Sequence, residues 1–351
     1  MLILGIESSC DETALALVED GKVVLSSLIA SQIATHSRWG GVIPEIAARE
    51  HLEAIREMYQ QLMSTTGKNL SDVDAIGVTQ GPGLIGCLLV GASFAKGLAQ
   101  AAGKPVIAVN HVHAHVHGAL LGIEAPHEQI FPTLALVVSG GHTNLYYMNS
   151  CIEFELLAHT MDDACGESFD KVGKMMGLPY PGGPHVESLA QKGTPERVPM
   201  PRMVERKSQL VFSYSGLKTA VALALKSMDK TGHRLEDIAH AFQEEALGQI
   251  IRKLGIALGM RPATKSIIVA GGVAANGRFR ELMKRATALP VWFPPLKYCS
   301  DNGAMIASLA YFQHCSNTAT AALEWDVFSR YPFETLMTTL GTKNNEKQSI
   351  P

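Results

Sequence analysis

Apolar residues in this chain fall into short blocks separated by polar, glycine-rich turns, with longer stretches of helical spacing between the blocks. Leu2 to Gly5 predicts a buried strand that ends in the polar turn Glu7–Glu12. Strands are predicted at Thr13–Val18 and Lys22–Ser26, joined by Glu19-Asp20-Gly21, a D-G hairpin turn. From Pro44 to Met63 the pattern is helical, with Ile46, Leu52, Ile55, Tyr59 and Leu62 assigned to one side. A short strand at Ala75–Val78 runs through Gly81–Gly86 into an apolar helix over Leu84–Ala102, and Pro105–Val109 is a further strand. The opening unit then recurs in pattern: strand Thr133–Val138, small polar turn Ser139–Thr143, strand Leu145–Met148. A late unit follows, with strand Ser266–Ala270, turn Gly271-Gly272 and helix Ala274–Ala286. The polar tail after about Pro332 is expected to fray.

This alternation predicts an α/β protein of two similar halves, each opening with a hairpin whose turn carries small and polar residues. Backbone N–H groups of such turns make anion-binding concavities, which suits a phosphate at Glu7–Asp11 or Ser139–His142, with Gly271-Gly272 as a third point of close approach. Each turn also reads as an ordinary tight turn. The length of 351 residues agrees with about two domains. We expect the first half to comprise 1–118 with 298–332, the second 119–297, and the tail 333–351.

The run H-V-H-A-H-V-H, His111 to His117, holds four of the thirteen histidines. Spacing of two allows a strand, but Asn110 as an N-cap and Ala119-Leu120-Leu121 behind the run favour a helix. His111 and His115 then share one face and His113 and His117 another. An i, i+4 imidazole pair can share a metal, and such a pair needs a carboxylate or a bound anion from elsewhere. Surface clustering is the plainer alternative.

Composition narrows the partners. A net charge of −3 carries no electrostatic signature of nucleic-acid binding, and the local clusters Arg202/Arg206/Lys207 and Arg278/Arg280/Lys284/Arg285 read as solvated faces. The six cysteines form no C-x-x-C pair and read as free thiols of a reducing compartment. Leu84–Ala102 is interrupted by Gly86, Gly91, Ser93, Lys96 and Gly97 and is expected in a core, not a membrane. A soluble, cytoplasmic chain is expected. Two look-alikes fail. Ser215-Gly216-Leu217-Lys218-Thr219 is no P-loop, because Leu217 separates glycine from lysine. The histidine run is no zincin helix, because Val112 stands where the glutamate belongs.

Nine segments in order resemble the TsaD family of tRNA N6-adenosine threonylcarbamoyltransferases, once labelled sialoglycoprotein endopeptidases. They are Gly5–Thr13, Gly40–His51, Gly81–Gly86, Val138–Thr143, Asp162–Lys171, Tyr180–Pro184, Phe212–Thr219, Ala270–Asn276 and Ser300–Ala307. The resemblance covers nearly the whole chain and looks like the bacterial type. It implies the fold of actin, acetate kinase and the sugar kinases, with an interdomain cleft. It also implies transfer of a threonylcarbamoyl group from threonylcarbamoyl adenylate to N6 of the adenosine beside the anticodon, with AMP leaving. By the same resemblance, His111, His115 and Asp301 would hold one divalent metal, iron(II) or zinc. Val137, Val138, Ser139, Gly140, Gly141, Asp170, Gly183 and Asn276 would bind the nucleotide, and Asp11 and Glu12 would face the reacting centre as catalytic groups. Implied partners are tRNA, a TsaB-like paralogue, a TsaE-like ATPase and a synthase that supplies the adenylate. A metal-dependent peptidase and a non-catalytic paralogue are the competing readings. The chain departs from the H-x-E-G-H of many relatives at His113 and Ala114. If that glutamate supports the metal from behind, His113 must replace it or the contact is missing.

Overall fold

The computed structural model describes residues 1–203, 210–316 and 323–330. Arg206, Lys207 and the tail expected to fray lie outside these residues.

Two mixed sheets organise the chain. The first contains β1 (Leu2–Glu7), β2 (Glu12–Glu19), β3 (Val23–Ser31), β4 (Ala75–Gly81) and β5 (Val106–Asn110), in the order β3-β2-β1-β4-β5. Its hairpin strands β1–β2–β3 are antiparallel, whereas β1–β4 and β4–β5 are parallel. The second contains β6 (Thr133–Val138), β7 (Thr143–Met148), β8 (Glu155–Thr160), β9 (Val211–Phe212), β10 (Ser266–Ala270) and β11 (Val291–Trp292), in the order β11-β10-β6-β7-β8-β9. Antiparallel β6–β7–β8 and parallel β6–β10–β11 reproduce the first sheet's plan, with β9 added at the hairpin edge. The repeat read from pattern is therefore a repeat of topology. At the first hairpin turn Asp20 and Gly21 both have positive φ, 49° and 67°, as a primed turn requires.

Central strands are buried on both faces, so they read as continuous apolar runs. Leu4 and Ile6 pack with Ile55, Leu62 and Val78 on one side, while Ile3 packs with Val109, Met305 and Ile306 on the other. The helix Gly303–Cys315 lies at backbone contact on this second face. A Cβ on Gly5 would come within 2.1 Å of the Gly303 carbonyl oxygen, and one on Gly303 within 2.6 Å of the Ala16 nitrogen. Glycine at both points lets the helix start against β1 and β2, which fixes the position of Asp301 just ahead of it.

Sequence pattern and structure differ at several places, among them the strand expected at Lys22–Ser26, which runs on to Ser31. Leu52, assigned to the inward side of the helix observed at Pro44–Thr66, is 67% exposed; Ala47, His51, Ile55, Met58 and Leu62 face inward instead. The helix expected at Ala274–Ala286 begins at Gly277, because Gly272–Ala275 forms a 3-10 turn and the Asn276 side chain caps the Phe279 N–H at 2.8 Å. Leu84 precedes the helix Ile85–Ala102 as its N-cap. That helix is the one described segment long and apolar enough to cross a membrane, yet Cys87, Leu88, Gly91, Ala92, Ala95 and Ala99 are buried within the protein.

Candidate metal centre and nucleotide cleft

Strand β5 delivers the chain to the helix His111–Leu120, whose first turn is capped by Asn110. Its Oδ1 accepts the N–H groups of Val112 at 2.9 Å and His113 at 3.2 Å. The expected division of histidines is observed. His111 and His115 share a face with ring centroids 4.8 Å apart, and Asp301 approaches both. Its Oδ1 lies 3.7 Å from His111 Nε2 and 3.3 Å from His115 Nε2, and one donor atom from each residue falls within 4.8 Å of the others. His115 is buried, and neither of its ring nitrogens has a hydrogen-bond partner. Burying an imidazole without a partner is costly, and a cation among these donors would satisfy it. Two imidazoles and one carboxylate with open positions fit a divalent transition metal of the iron or zinc kind.

Glu7, at the end of β1, stands behind the pair. Its carboxylate is fully buried and accepts the Ser9 N–H at 2.6 Å and the Thr79 hydroxyl at 2.5 Å, and His111 Nδ1 lies 3.0 Å from Oε2. With Nδ1–H directed at Glu7, a neutral His111 would turn its Nε2 lone pair toward a metal in the cluster. Burial by itself would lower the His111 pKa and raise that of Glu7. The facing charges reverse both shifts: Glu7 and Asp301 raise His111 to about 9, and His111 lowers Glu7. Asp301, too, is held below the usual carboxylate range: burial would raise it, but His111 and His115 outweigh burial. The cluster sets one buried carboxylate, Glu7, and one half-buried carboxylate, Asp301, around the two imidazoles.

The turn Ser139–His142 of the second half faces this centre. The His142 ring lies 6.2 Å, centroid to centroid, from that of His111. Burial first, then the charge of His111 and His115, lowers it to about 3, so the ring is neutral. Val137 and Val138 have fully buried side chains in separate cores, which leaves only their backbone for a ligand. Gly140 and Gly141 open on free space, since nothing lies within 4 Å of a Cβ built on either. Gly166 supports the turn from below: a Cβ there would meet the Ser139 oxygen at 2.6 Å and the Gly140 nitrogen at 2.9 Å. Asp170 Oδ1 accepts the N–H groups of Gly182 at 2.7 Å and Gly183 at 3.3 Å, holding the start of the helix Gly182–Ala190. The Asn276 amide is engaged twice within the protein, capping Phe279 and donating to Gln243 Oε1 at 3.0 Å.

Asp11 and Glu12 enter from the first half. Burial, then the charges of Asp301 and Asp11, raise the Glu12 pKa to about 10. Asp170 is raised by burial and, more weakly, by Asp11; Tyr180 is raised by burial and then by Asp11 and Asp170. Asp11, Asp170 and Tyr180 thus share one electrostatic environment across the cleft. The Asp11 loop is pinned twice: Gln32 N–H donates to the Asp11 carbonyl at 2.9 Å, and His51 Nε2 donates to the Cys10 carbonyl at 2.9 Å.

His113 takes no part in the cluster. It stacks on Phe154 with centroids 3.9 Å apart and an interplanar angle of 2°, and meets Tyr146 edge-on. The contact behind His111 comes from Glu7, not from the middle of the run. His117 is likewise structural, paired with Ser308 Oγ at 3.2 Å and the Cys151 carbonyl at 2.8 Å. The P-loop look-alike opens the helix Ser215–Lys226, and Lys218 pairs with Asp163. Glu7 and His142 bound turns read as phosphate sites without a role of their own, and His51 and Tyr180 carry no reading from residue chemistry, although each lies in a segment that carries the family resemblance.

Two sheets, each a hairpin extended by parallel strands, define the two-lobed class to which actin and the sugar kinases belong. Solved structures agree on the fold. Component A of (R)-2-hydroxyglutaryl-CoA dehydratase from Acidaminococcus fermentans aligns with a TM-score of 0.55 at 14% identity, covering 90% of this chain and 99% of that one. Full-length HypF aligns with a TM-score of 0.61 at 14% identity, covering 91% of this chain and 47% of that one. Sequence goes further. The family model described as TsaD, tRNA N6-adenosine threonylcarbamoyltransferase, matches residues 23–308. The tRNA N6-adenosine threonylcarbamoyltransferase of Moorella thermoacetica is 47% identical over 317 residues, covering 89% of this chain and 92% of the relative. That of Geotalea uraniireducens is 43% identical over 345 residues, covering 97% and 99%. The chain belongs to the TsaD family of tRNA N6-adenosine threonylcarbamoyltransferases.

Proposed function

We propose that the cleft carries out the family's reaction through the residues assembled here: threonylcarbamoyl moves from its adenylate to N6 of the adenosine next to the anticodon, and AMP leaves. The observation that carries this reading is the His111–His115–Asp301 cluster, backed by Glu7 and faced by the Ser139–His142 turn. His111, His115 and Asp301 would hold iron or zinc, and a bound metal would supply Lewis-acid stabilisation of the phosphate and carbamoyl oxygens. Backbone N–H groups of Gly140 and Gly141 receive the phosphate, for which the two open glycines leave room, while the Ser139 N–H closes the turn on the His142 carbonyl at 2.8 Å. Asp170, Gly183 and Asn276 border the nucleoside side, with Val137 and Val138 contributing backbone only. The exocyclic amine is a weak nucleophile and must lose a proton as the carbamoyl C–N bond forms. Asp11 and Glu12 are the carboxylates placed in the turn beside the centre, and Asp11 is the favoured acceptor of that proton.

A peptidase reading lacks a glutamate beside His111, and a non-catalytic paralogue has no use for three converging metal donors. The reaction needs a separate adenylate synthase. A TsaB-like paralogue is proposed to dock on the paired helices Pro44–Thr66 and Ile85–Ala102, where Leu52, Ile85 and Leu89 are exposed; a TsaE-like ATPase completes the cytoplasmic machinery. Mass spectrometry of tRNA nucleosides tests the reading. Depletion of this protein should remove N6-threonylcarbamoyladenosine, wild type should restore it, and Asp301→Ala should not. Restoration by Asp301→Ala would overturn the metal assignment; an unchanged nucleoside on depletion would overturn the activity.

A further inference from the structure

Trp39 is the only Phe, Tyr or Trp among the described residues that is exposed; its relative accessibility is 62%. Every other described aromatic side chain is buried or half-buried. The open indole face is available to a partner, and its surroundings say which kind.

Trp39 stands at the tip of the segment that leaves β3 beside the catalytic loop. Glu12 pairs with Ser31 in the sheet, and the next residue, Gln32, donates its N–H to the Asp11 carbonyl. The segment's base is rigid. His36 is fully buried, with Nε2 3.0 Å from Gln32 Oε1 and Nδ1 accepting the Ile43 N–H at 3.4 Å. The backbone then folds tightly, with Trp39 N–H on the His36 carbonyl at 3.0 Å and Gly40 N–H on Ser37 at 3.2 Å. Gly40 has φ +68°, and a Cβ on it would lie 3.3 Å from Lys174 Nζ, so the tip reaches across to the second half. Lys174 and Arg38 are both exposed, and neither makes an ion pair within the described residues, whereas Lys171 and Lys218 nearby are neutralised by Asp163. A rigid, exposed indole flanked by two free cations at the mouth of a cleft fits an unpaired nucleobase and its adjoining phosphates.

We infer that Trp39 is the platform on which an unpaired base of the substrate RNA stacks, with Arg38 and Lys174 on its phosphates, while the reacting adenosine enters the cleft. This rests on the proposed reaction and names a substrate contact within it. It also explains how a chain of net charge −3 engages RNA: the contact depends on one stack and two local cations, not on a broad basic face.

The test compares Trp39→Ala and Trp39→Tyr in the protein assembled with the partners its activity requires, using substrate tRNA and an anticodon stem-loop oligonucleotide as probes. Trp39→Ala should raise KM for tRNA on the order of tenfold, the range of one lost base–aromatic stack. It should leave metal content and AMP affinity unchanged, and Trp39→Tyr should recover most of the loss. Arg38→Gln should reduce the salt dependence of tRNA binding by about one ion. The stem-loop should quench tryptophan fluorescence in the wild type and much less in Trp39→Tyr. An unchanged KM for tRNA in Trp39→Ala overturns the inference while leaving the reaction intact. So does a variant that binds tRNA normally but fails to join its protein partners, which would mark Trp39 as a protein-docking residue. Absence of any tRNA modification by the wild-type assembly would instead sink the reaction itself.

Discussion

Nδ1 of His111 lies 3.0 Å from Oε2 of Glu7, and the same carboxylate accepts from Thr79 and Ser9. The imidazole is therefore oriented before any ligand arrives. Glu7→Gln should lower metal affinity about 10- to 100-fold, since the amide keeps the shape of the contact but loses its charge. Chelator competition followed by elemental analysis measures this, and AMP binding serves as the control for folding. Wild-type metal retention in Glu7→Gln would mean that the carboxylate only props up β1.

The candidate metal ligands differ in how legible they are in the sequence. His111 and His115 announce themselves because helical spacing alone puts them together. Asp301 became visible through family resemblance, and the structure shows why it arrives: glycines at Gly5 and Gly303 let its helix begin against β1 and β2. Glu7 could not be read from its neighbours in sequence. It meets Thr79 and His111 only because β1, β4 and β5 lie side by side in parallel, which local pattern does not specify. Leu52 departs from the expected face for a related reason. The inward stripe of its helix includes a polar residue, His51, so counting apolar side chains alone tilted the face.

Glycines around the phosphate turn should separate into two classes. Gly166→Ala forces a methyl onto the Ser139 oxygen and Gly140 nitrogen, so it should displace the turn and weaken AMP binding at least tenfold. Gly141→Ala has room in the protein itself, so it should fold with wild-type stability and lose affinity only by occupying the phosphate's space. Calorimetry with AMP, beside thermal melting of the free protein, distinguishes the two. Equal melting temperatures for both variants would contradict the contact at Gly166.

His113 should matter to stability and not to metal. His113→Ala removes a ring stacked on Phe154 and is expected to cost about 2–3 kcal/mol. His113→Phe preserves the stack and eliminates a buried, unpartnered Nε2, so it should cost under about 1.5 kcal/mol. His113→Glu should be worse than Phe, because a carboxylate would be buried between Phe154 and Tyr146. Denaturant unfolding ranks the three, and elemental analysis should find normal metal in His113→Phe. Metal loss in that variant would make His113 part of the centre after all.

His51 gives the fold an acid-sensitive joint. Its Nε2 donates to the Cys10 carbonyl and its Nδ1 accepts the Thr13 hydroxyl at 2.7 Å, an arrangement only the neutral ring can make. Burial lowers its pKa below the ordinary histidine value of 6.5, against the weaker opposing pull of the Cys10 carbonyl, Glu7, Asp11 and Glu50. Above pH 6.5 the ring is neutral in both folded and unfolded chains, and its contribution is fully present. As pH falls below 6.5 the unfolded chain takes up a proton that the folded one refuses, so stability declines toward the folded-state pKa. One such site contributes at most about 1.4 kcal/mol per pH unit. His51→Gln cannot titrate and still offers a donor and an acceptor. Its stability should fall less steeply between about pH 6.5 and 5. Urea unfolding of both proteins across that range measures the two slopes. Parallel slopes would show that the proton is taken up elsewhere and that His51 joins the two segments without sensing acid.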